Sequence, residues 1–134
     1  MNSIDEIQEK ISLIGALIDA PKNYWNIKFD PQGDGTPYVK MADEKFHYLV
    51  EEKGFLFEER VTDDLDTLLY WLVRDVIKKM AADYELKNRN SKFDSRRIIF
   101  DQELNLMKKI KESWYNKTKE EIEETLKNSP YIDT

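Results

Sequence analysis

Phe46-His47-Tyr48-Leu49-Val50-Glu51-Glu52, Lys53-Gly54, Phe55-Leu56-Phe57-Glu58-Glu59-Arg60-Val61 and Thr62-Asp63-Asp64-Leu65 follow one another without a break and set out strand, turn, strand and helix start. Lys53-Gly54 is a two-residue hairpin signal between runs rich in aromatic and β-branched residues. Centring the turn there places Glu52 opposite Phe55, Val50 opposite Phe57, Tyr48 opposite Glu59 and Phe46 opposite Val61. That register predicts an inner face of Phe46, Tyr48, Val50, Phe55, Phe57 and Val61. The outer face then carries His47, Leu49, Glu51, Leu56, Glu58 and Arg60.

Towards the N-terminus, Tyr38-Val39-Lys40-Met41 reads as a strand pairing with this hairpin. Trp25, Ile27 and Phe29 alternate with Asn26, Lys28 and Asp30 ahead of the turn residues Pro31-Gln32-Gly33-Asp34-Gly35, which predicts a further strand and a tight reversal. Ser3-Ile4-Asp5-Glu6 has the form of a capping box, and Ile4, Ile7, Ile11, Ile14 and Ile18 make one stripe of a helix over about residues 4–19, stopped by Pro21.

Towards the C-terminus, Thr62-Asp63-Asp64 caps a helix over about 63–87 whose stripe is Leu65, Leu68, Leu69, Leu72, Val76 and Met80. Tyr70, Val73, Ile77 and Tyr84 widen that face, which predicts a central core helix. Another helix is expected from about Asp94 to Trp114, and Thr118-Lys119-Glu120-Glu121 reads as a capping box opening a short last helix before Pro130. The fold expected is one α+β domain over 1–134: a four-stranded antiparallel meander covered on one face by an N-terminal helix and three C-terminal helices.

Composition excludes several classes. With 134 residues one domain with a real core is expected, and with no cysteine there is no disulfide scaffold, thiolate metal site or thiol nucleophile. No apolar run approaches a membrane span and the N-terminus lacks a basic signal region, which predicts a soluble, cytoplasmic chain. The net charge is −6, and it is uneven: residues 1–66 carry 15 acidic and 7 basic side chains, residues 67–134 carry 12 and 14. Phosphate binding needs clustered Lys and Arg, so nucleic acid is a poor partner and a basic one is better suited.

Asp30-Pro31-Gln32-Gly33-Asp34-Gly35 matches the opening of a calcium loop, but the twelfth position is Met41 where a bidentate Glu is needed, so it reads as a turn. His47 is the only imidazole, which confines any histidine-based metal site or triad to its surroundings; no cofactor is expected. Glu51 and Glu58, a diagonal apart on the expected outer face, have the spacing for acid–base work, yet solvated carboxylates on a half-buried sheet are the commoner arrangement and no catalysis is assigned. Lys87, Arg89, Lys92, Arg96 and Arg97 are interleaved with Asp83, Glu85 and Asp94, which predicts a structural ion-pair network of Glu85, Arg89, Asp94, Arg96 and Arg97 pinning the connection between two helices.

Three strings make the pattern specific: Asp64-Leu65-Asp66-Thr67-Leu68-Leu69-Tyr70-Trp71-Leu72-Val73, Ala82-Asp83-Tyr84-Glu85-Leu86-Lys87-Asn88-Arg89, and Asp94-Ser95-Arg96-Arg97-Ile98-Ile99-Phe100. With Tyr48-Leu49-Val50-Glu51-Glu52-Lys53-Gly54 before them, and Trp114, Glu121 to Leu126 and Ser129-Pro130-Tyr131 after, the chain resembles the immunity protein 63 family of bacterial polymorphic toxin systems. The resemblance implies a small α+β cytoplasmic protein that binds and neutralises a cognate protein toxin. It assigns no catalytic role to any residue.

Joined to the acidic first half, that implication predicts stoichiometric occlusion of a toxin with a basic surface, a nuclease groove being one such surface. Glu51, Glu58, Glu59, Asp63 and Asp64 are the expected partner-binding residues. Trp71 is expected between helices rather than as an anchor at the interface. The competing reading is a small regulatory or adaptor protein presenting the same surface to a basic host partner.

Overall fold

A computed structural model describes residues 4–134. The order is α1 (Ile4–Leu17), a 3-10 turn (Lys22–Tyr24), β1 (Tyr38–Ala42), β2 (Lys45–Glu52), β3 (Phe55–Thr62), α2 (Leu65–Lys87), α3 (Ser95–Lys108) and α4 (Glu112–Asn128). The class is α+β with four helices, as the sequence predicts. The capping residue Ser3 lies outside the described residues.

In α1 the isoleucine stripe points inward, with Ile7 and Ile11 buried. The helix ends at Leu17, earlier than expected, because Asp19 turns into the left-handed region at φ 55. Gly15 lies under the Trp25 ring, and a Cβ there would sit 1.4 Å from Trp25 Cε3, so the close approach of the two segments requires glycine.

That approach explains why the sheet has three strands instead of four. The Gln8 side chain donates to the Trp25 carbonyl at 3.0 Å and accepts from the Ile27 N–H at 3.1 Å, so α1 takes the backbone groups that a first strand would have used. What remains of that strand is one parallel bridge, Lys28 to Tyr38, at the β1 edge. Pro31 and Pro37 flank the reversal and have no N–H with which to extend it.

The three strands are antiparallel in the order β1-β2-β3. Asp43 and Glu44 (φ 54 and 61), and Lys53 and Gly54 (φ 51 and 83), all take the left-handed conformation that a two-residue turn between twisted strands demands. Glu52 faces Phe55 as predicted, but a β-bulge between Val50 and Glu51 then shifts the register. Val50 faces Glu58, Tyr48 faces Arg60 and Phe46 faces Thr62. The one-residue shift turns β3 over beyond Leu56, as the two-residue side-chain period dictates. Phe55, Phe57 and Val61, expected inside, are exposed, while Arg60 and Glu58 share the inner face with Tyr48 and Val50.

Helix α2 runs through the middle of the molecule, buries Leu68, Leu69, Tyr70, Leu72, Val73, Val76 and Ile77, and packs against α1, α3 and the inner sheet face. The helix expected over 94–114 is broken: Lys111 is extended (φ −162, ψ 133) and α4 starts at Glu112. The break lets Lys111 Nζ and Trp114 Nε1 both reach the Asp66 carboxylate at the start of α2, at 2.5 and 3.1 Å. Thr118 therefore caps nothing; it lies buried within α4, its hydroxyl 3.1 Å from Tyr70 Oη. Trp71 packs against the sheet, edge-on to Tyr48 at 6.2 Å, and not between helices.

Candidate functional site: the β3 side of the sheet

Edge strand β3 carries Phe55 (71% exposed), Leu56 (53%), Phe57 (66%) and Val61 (45%) into solvent: Phe55 and Leu56 at the end of the hairpin, and Val61 on the part of the strand that the bulge turns over. Large apolar side chains grouped on an uncovered edge make this side of the sheet the candidate contact surface. Among the described residues nothing bridges to the free side of β3.

The five acidic residues expected to bind a partner surround this patch, but on different faces. Glu51 and Glu59 lie on the outer face; Glu58 lies on the inner face opposite Val50, not beside Glu51 as expected. On the outer face Glu51 accepts a short hydrogen bond from Tyr38 Oη, which pushes the Tyr38 hydroxyl up to about 12. Glu59 Oε2 lies 3.1 Å from His47 Nδ1, and His47 Nε2 is buried with no hydrogen-bond partner among the described residues. With Lys40, Leu49 and Leu56 these groups line a shallow hollow of about 370 Å³. On the inner face Glu58 pairs with Arg60, whose guanidinium lies 4.5 Å from the Tyr48 ring and 5.4 Å from that of Trp71. Tyr48 Oη donates to Asp75, whose carboxyl is pushed up by burial.

Asp63 and Asp64 are exposed at the passage from β3 to α2. Asp64 is the N-cap, accepting the Thr67 N–H at 3.1 Å and the Thr67 hydroxyl at 2.7 Å, while the Thr62 hydroxyl accepts the Asp64 N–H at 3.1 Å. Asp63 and Glu52 form no ion pair among the described residues. The result is an apolar tip ringed by carboxylates. No three side chains of His, Asp or Glu among the described residues are gathered in a way that could hold a metal ion.

The family model of immunity protein 63 matches residues 42–124, from the end of β1 through the hairpin and α2 and α3 into α4. The chain belongs to the immunity protein 63 family. No curated protein and no solved structure gives a significant match. The match takes in the whole β2–β3 hairpin with all five carboxylates and the exposed aromatic tip, whereas α1 and the C-terminal residues lie outside it.

In this family member the five residues expected to form an ion-pair network divide into two units. Glu85, buried on α2, takes both Arg89 Nε and Nη2, at 3.0 and 2.9 Å. Asp94 caps α3 through the Arg96 N–H, pairs with the Arg96 guanidinium and accepts the Ile132 N–H. Arg96 continues to the Ser129 and Pro130 carbonyls, and Arg97 pairs with Asp133 at 2.8 Å. The second unit therefore fastens the C-terminal residues to the start of α3, rather than joining α2 to α3. Hydrogen bonds from Arg96 hold the Asp94 carboxyl far below the ordinary carboxylate range, and those from Arg97 lower Asp133.

Both groups have folded pKa values depressed relative to the unfolded chain, so their stabilisation is complete above the usual carboxylate range and disappears as pH falls through the lowered values. Acidification from about pH 6 to about pH 2 is expected to release the tail before the core. Amide exchange of Ile132 should lose its protection while that of Ile77 persists; equal protection of Ile132 at both pH values would contradict this.

Sequence reasoning missed a third polar unit. Arg74 on α2 pairs with the buried Glu103 of α3 and, at 3.1 Å, with Glu121 of α4, which also accepts from Tyr70 Oη at 2.6 Å. Arg74 falls between apolar positions of α2, and such a placement is the available signal for a buried cation.

Proposed function

We propose that this immunity protein binds a cognate protein toxin and blocks it by stoichiometric occlusion, using the β3 side of the sheet. One observation supports the site above all: within the family-matched hairpin, exposed Phe55, Leu56 and Phe57 stand among Glu51, Glu52, Glu58, Glu59, Asp63 and Asp64. Aromatic residues supply the desolvated centre of tight interfaces, and a surrounding ring of one charge sign accelerates encounter with a surface of the other. A toxin with a basic groove fits this arrangement. The cytoplasm, where a toxin must be disarmed before it acts, is the proposed place of action, and no helix among the described residues is long and apolar enough to cross a membrane.

The electrostatic part is tested by reversing Glu51 and Glu59 to Lys together. Association with the toxin is expected to slow by about tenfold or more at low salt, with a much weaker dependence on ionic strength than the native protein shows. Stopped-flow association rates across a salt series read this directly. Unchanged rates and an unchanged salt slope would place the toxin on another surface.

A further inference from the structure

Side-chain complementarity does not use everything β3 offers. In a two-residue hairpin the residues flanking the turn exchange both backbone hydrogen bonds, which makes Ala42 and Lys45 one such pair and Glu52 and Phe55 another. Alternation along β2 then directs the backbone of His47, Leu49 and Glu51 towards β1, and that of Phe46, Tyr48, Val50 and Glu52 towards β3. Two observed bonds agree with this parity: the Glu51 carbonyl accepts the Gly35 N–H at 3.0 Å on the β1 side, and the Val39 N–H, turned away from β2, donates to the Lys28 carbonyl at 3.0 Å. On β3, Arg60 and Thr62 face Tyr48 and Phe46 and are used by the ladder. The N–H groups of Glu59 and Val61 therefore point away from the sheet, at an edge that nothing among the described residues covers.

We infer that the toxin, on the reading proposed above, contributes an extended segment of alternating basic and apolar residues that adds to β3 as a fourth strand. Main-chain bonds from Glu59 and Val61 would supply register, and pockets for alternate side chains would supply specificity. Charge selects this occupant over a second copy of the chain. Two β3 strands aligned antiparallel with Glu58 facing Arg60 of the other copy would bring Glu59 against its own image, and pairing centred one residue earlier does the same for Glu58. The bulge at Phe57 also interrupts a long self-pairing. An alternating strand presents its basic side chains on one face only: turned to the outer face they meet Glu59, which stands between Leu56 and Val61, and turned to the inner face they meet Glu58.

The test uses the full chain and three synthetic octapeptides: alternating Lys and Val, the same peptide N-methylated on alternate residues along one edge, and alternating Glu and Val. Calorimetric titration is expected to give binding of the Lys-Val peptide about tenfold or more tighter than either of the others. Amide exchange of Glu59 and Val61 should slow in that complex alone. A second arm uses Val61→Pro, which removes an outward N–H without taking a bond from the ladder, against Val61→Thr, which keeps it. Val61→Pro should lose the Lys-Val peptide and Val61→Thr retain it; should Val61→Pro fail to fold, the N-methylated peptide carries the decision. Equal binding of methylated and unmethylated peptides, no binding of the Lys-Val peptide, or protection of Glu59 and Val61 that grows with protein concentration would each overturn the strand-addition proposal. None of these touches the immunity reading itself, which stands or falls separately on rescue of growth by the native chain against its toxin.

Discussion

Replacing Arg74 by alanine is expected to lower the melting temperature by about 10–20 °C, from a loss of about 3–5 kcal/mol. The Arg74 side chain is 11% exposed and that of Glu103 is 3% exposed, so removing the guanidinium strands a carboxylate between α2 and α3 with no water to receive it. Glu121 would lose one partner too, but it is exposed and keeps Tyr70. Burial of the Tyr70 hydroxyl, with its bond to Glu121, pushes it up to about 12, so it remains a donor at any ordinary pH. The cost therefore falls on Glu103. The double variant Arg74→Leu, Glu103→Leu removes both charges and should recover most of the lost stability, since an apolar pair of similar volume seldom does worse than a buried ion pair. Thermal unfolding followed by circular dichroism checks both. A single variant melting within about 2 °C of the native protein would show that Glu103 is not left stranded by the loss of Arg74.

The second large effect concerns binding without stability. Phe55→Ser with Phe57→Ser alters side chains that are mostly in solvent, so the melting temperature should move by no more than a surface change allows, about 0.5 kcal/mol per site. Toxin affinity should fall by about 100-fold or more, because aromatic side chains at the centre of an interface typically contribute about 2 kcal/mol or more each. Competition titration against the native chain measures the loss. Equal competition by the double variant would move the interface away from the hairpin tip.

The contrast between these two regions shows what the sequence carries. Strand and helix periodicity were legible where the chain satisfies its own backbone: the β2–β3 turn, the stripe of α2 and the cap before it all stand where the residues place them. Two features depend on distant partners and leave little local mark. Gln8, one polar residue on an amphipathic helix, diverts Trp25 and Ile27 from the sheet. Arg60, stacked on Tyr48 and Trp71, makes a charged residue suitable for the inner face, and with it the bulge that displaces Phe57 and turns Val61 outward. A perfect alternation pattern cannot distinguish that register from its neighbour, because a single inserted residue exchanges the faces.

The expected site shared this fate. Its acidic residues were legible from charge, and all five lie on or beside the hairpin. Their apolar centre was not, since Phe55 and Phe57 satisfied the alternation expected of a core strand. Glu85, Arg89, Asp94, Arg96 and Arg97 do form ion pairs, yet Asp133 and the Ser129 and Pro130 carbonyls, remote in sequence, decide what those pairs hold.

Co-expression with the adjacent upstream reading frame, scored for growth and followed by copurification, tests the central claim most directly. The native chain should restore growth and copurify with the toxin at equal stoichiometry, whereas the folded Phe55→Ser, Phe57→Ser variant should do neither. Growth arrest that the native chain fails to relieve would contradict neutralisation, and rescue by both chains alike would contradict the β3 surface.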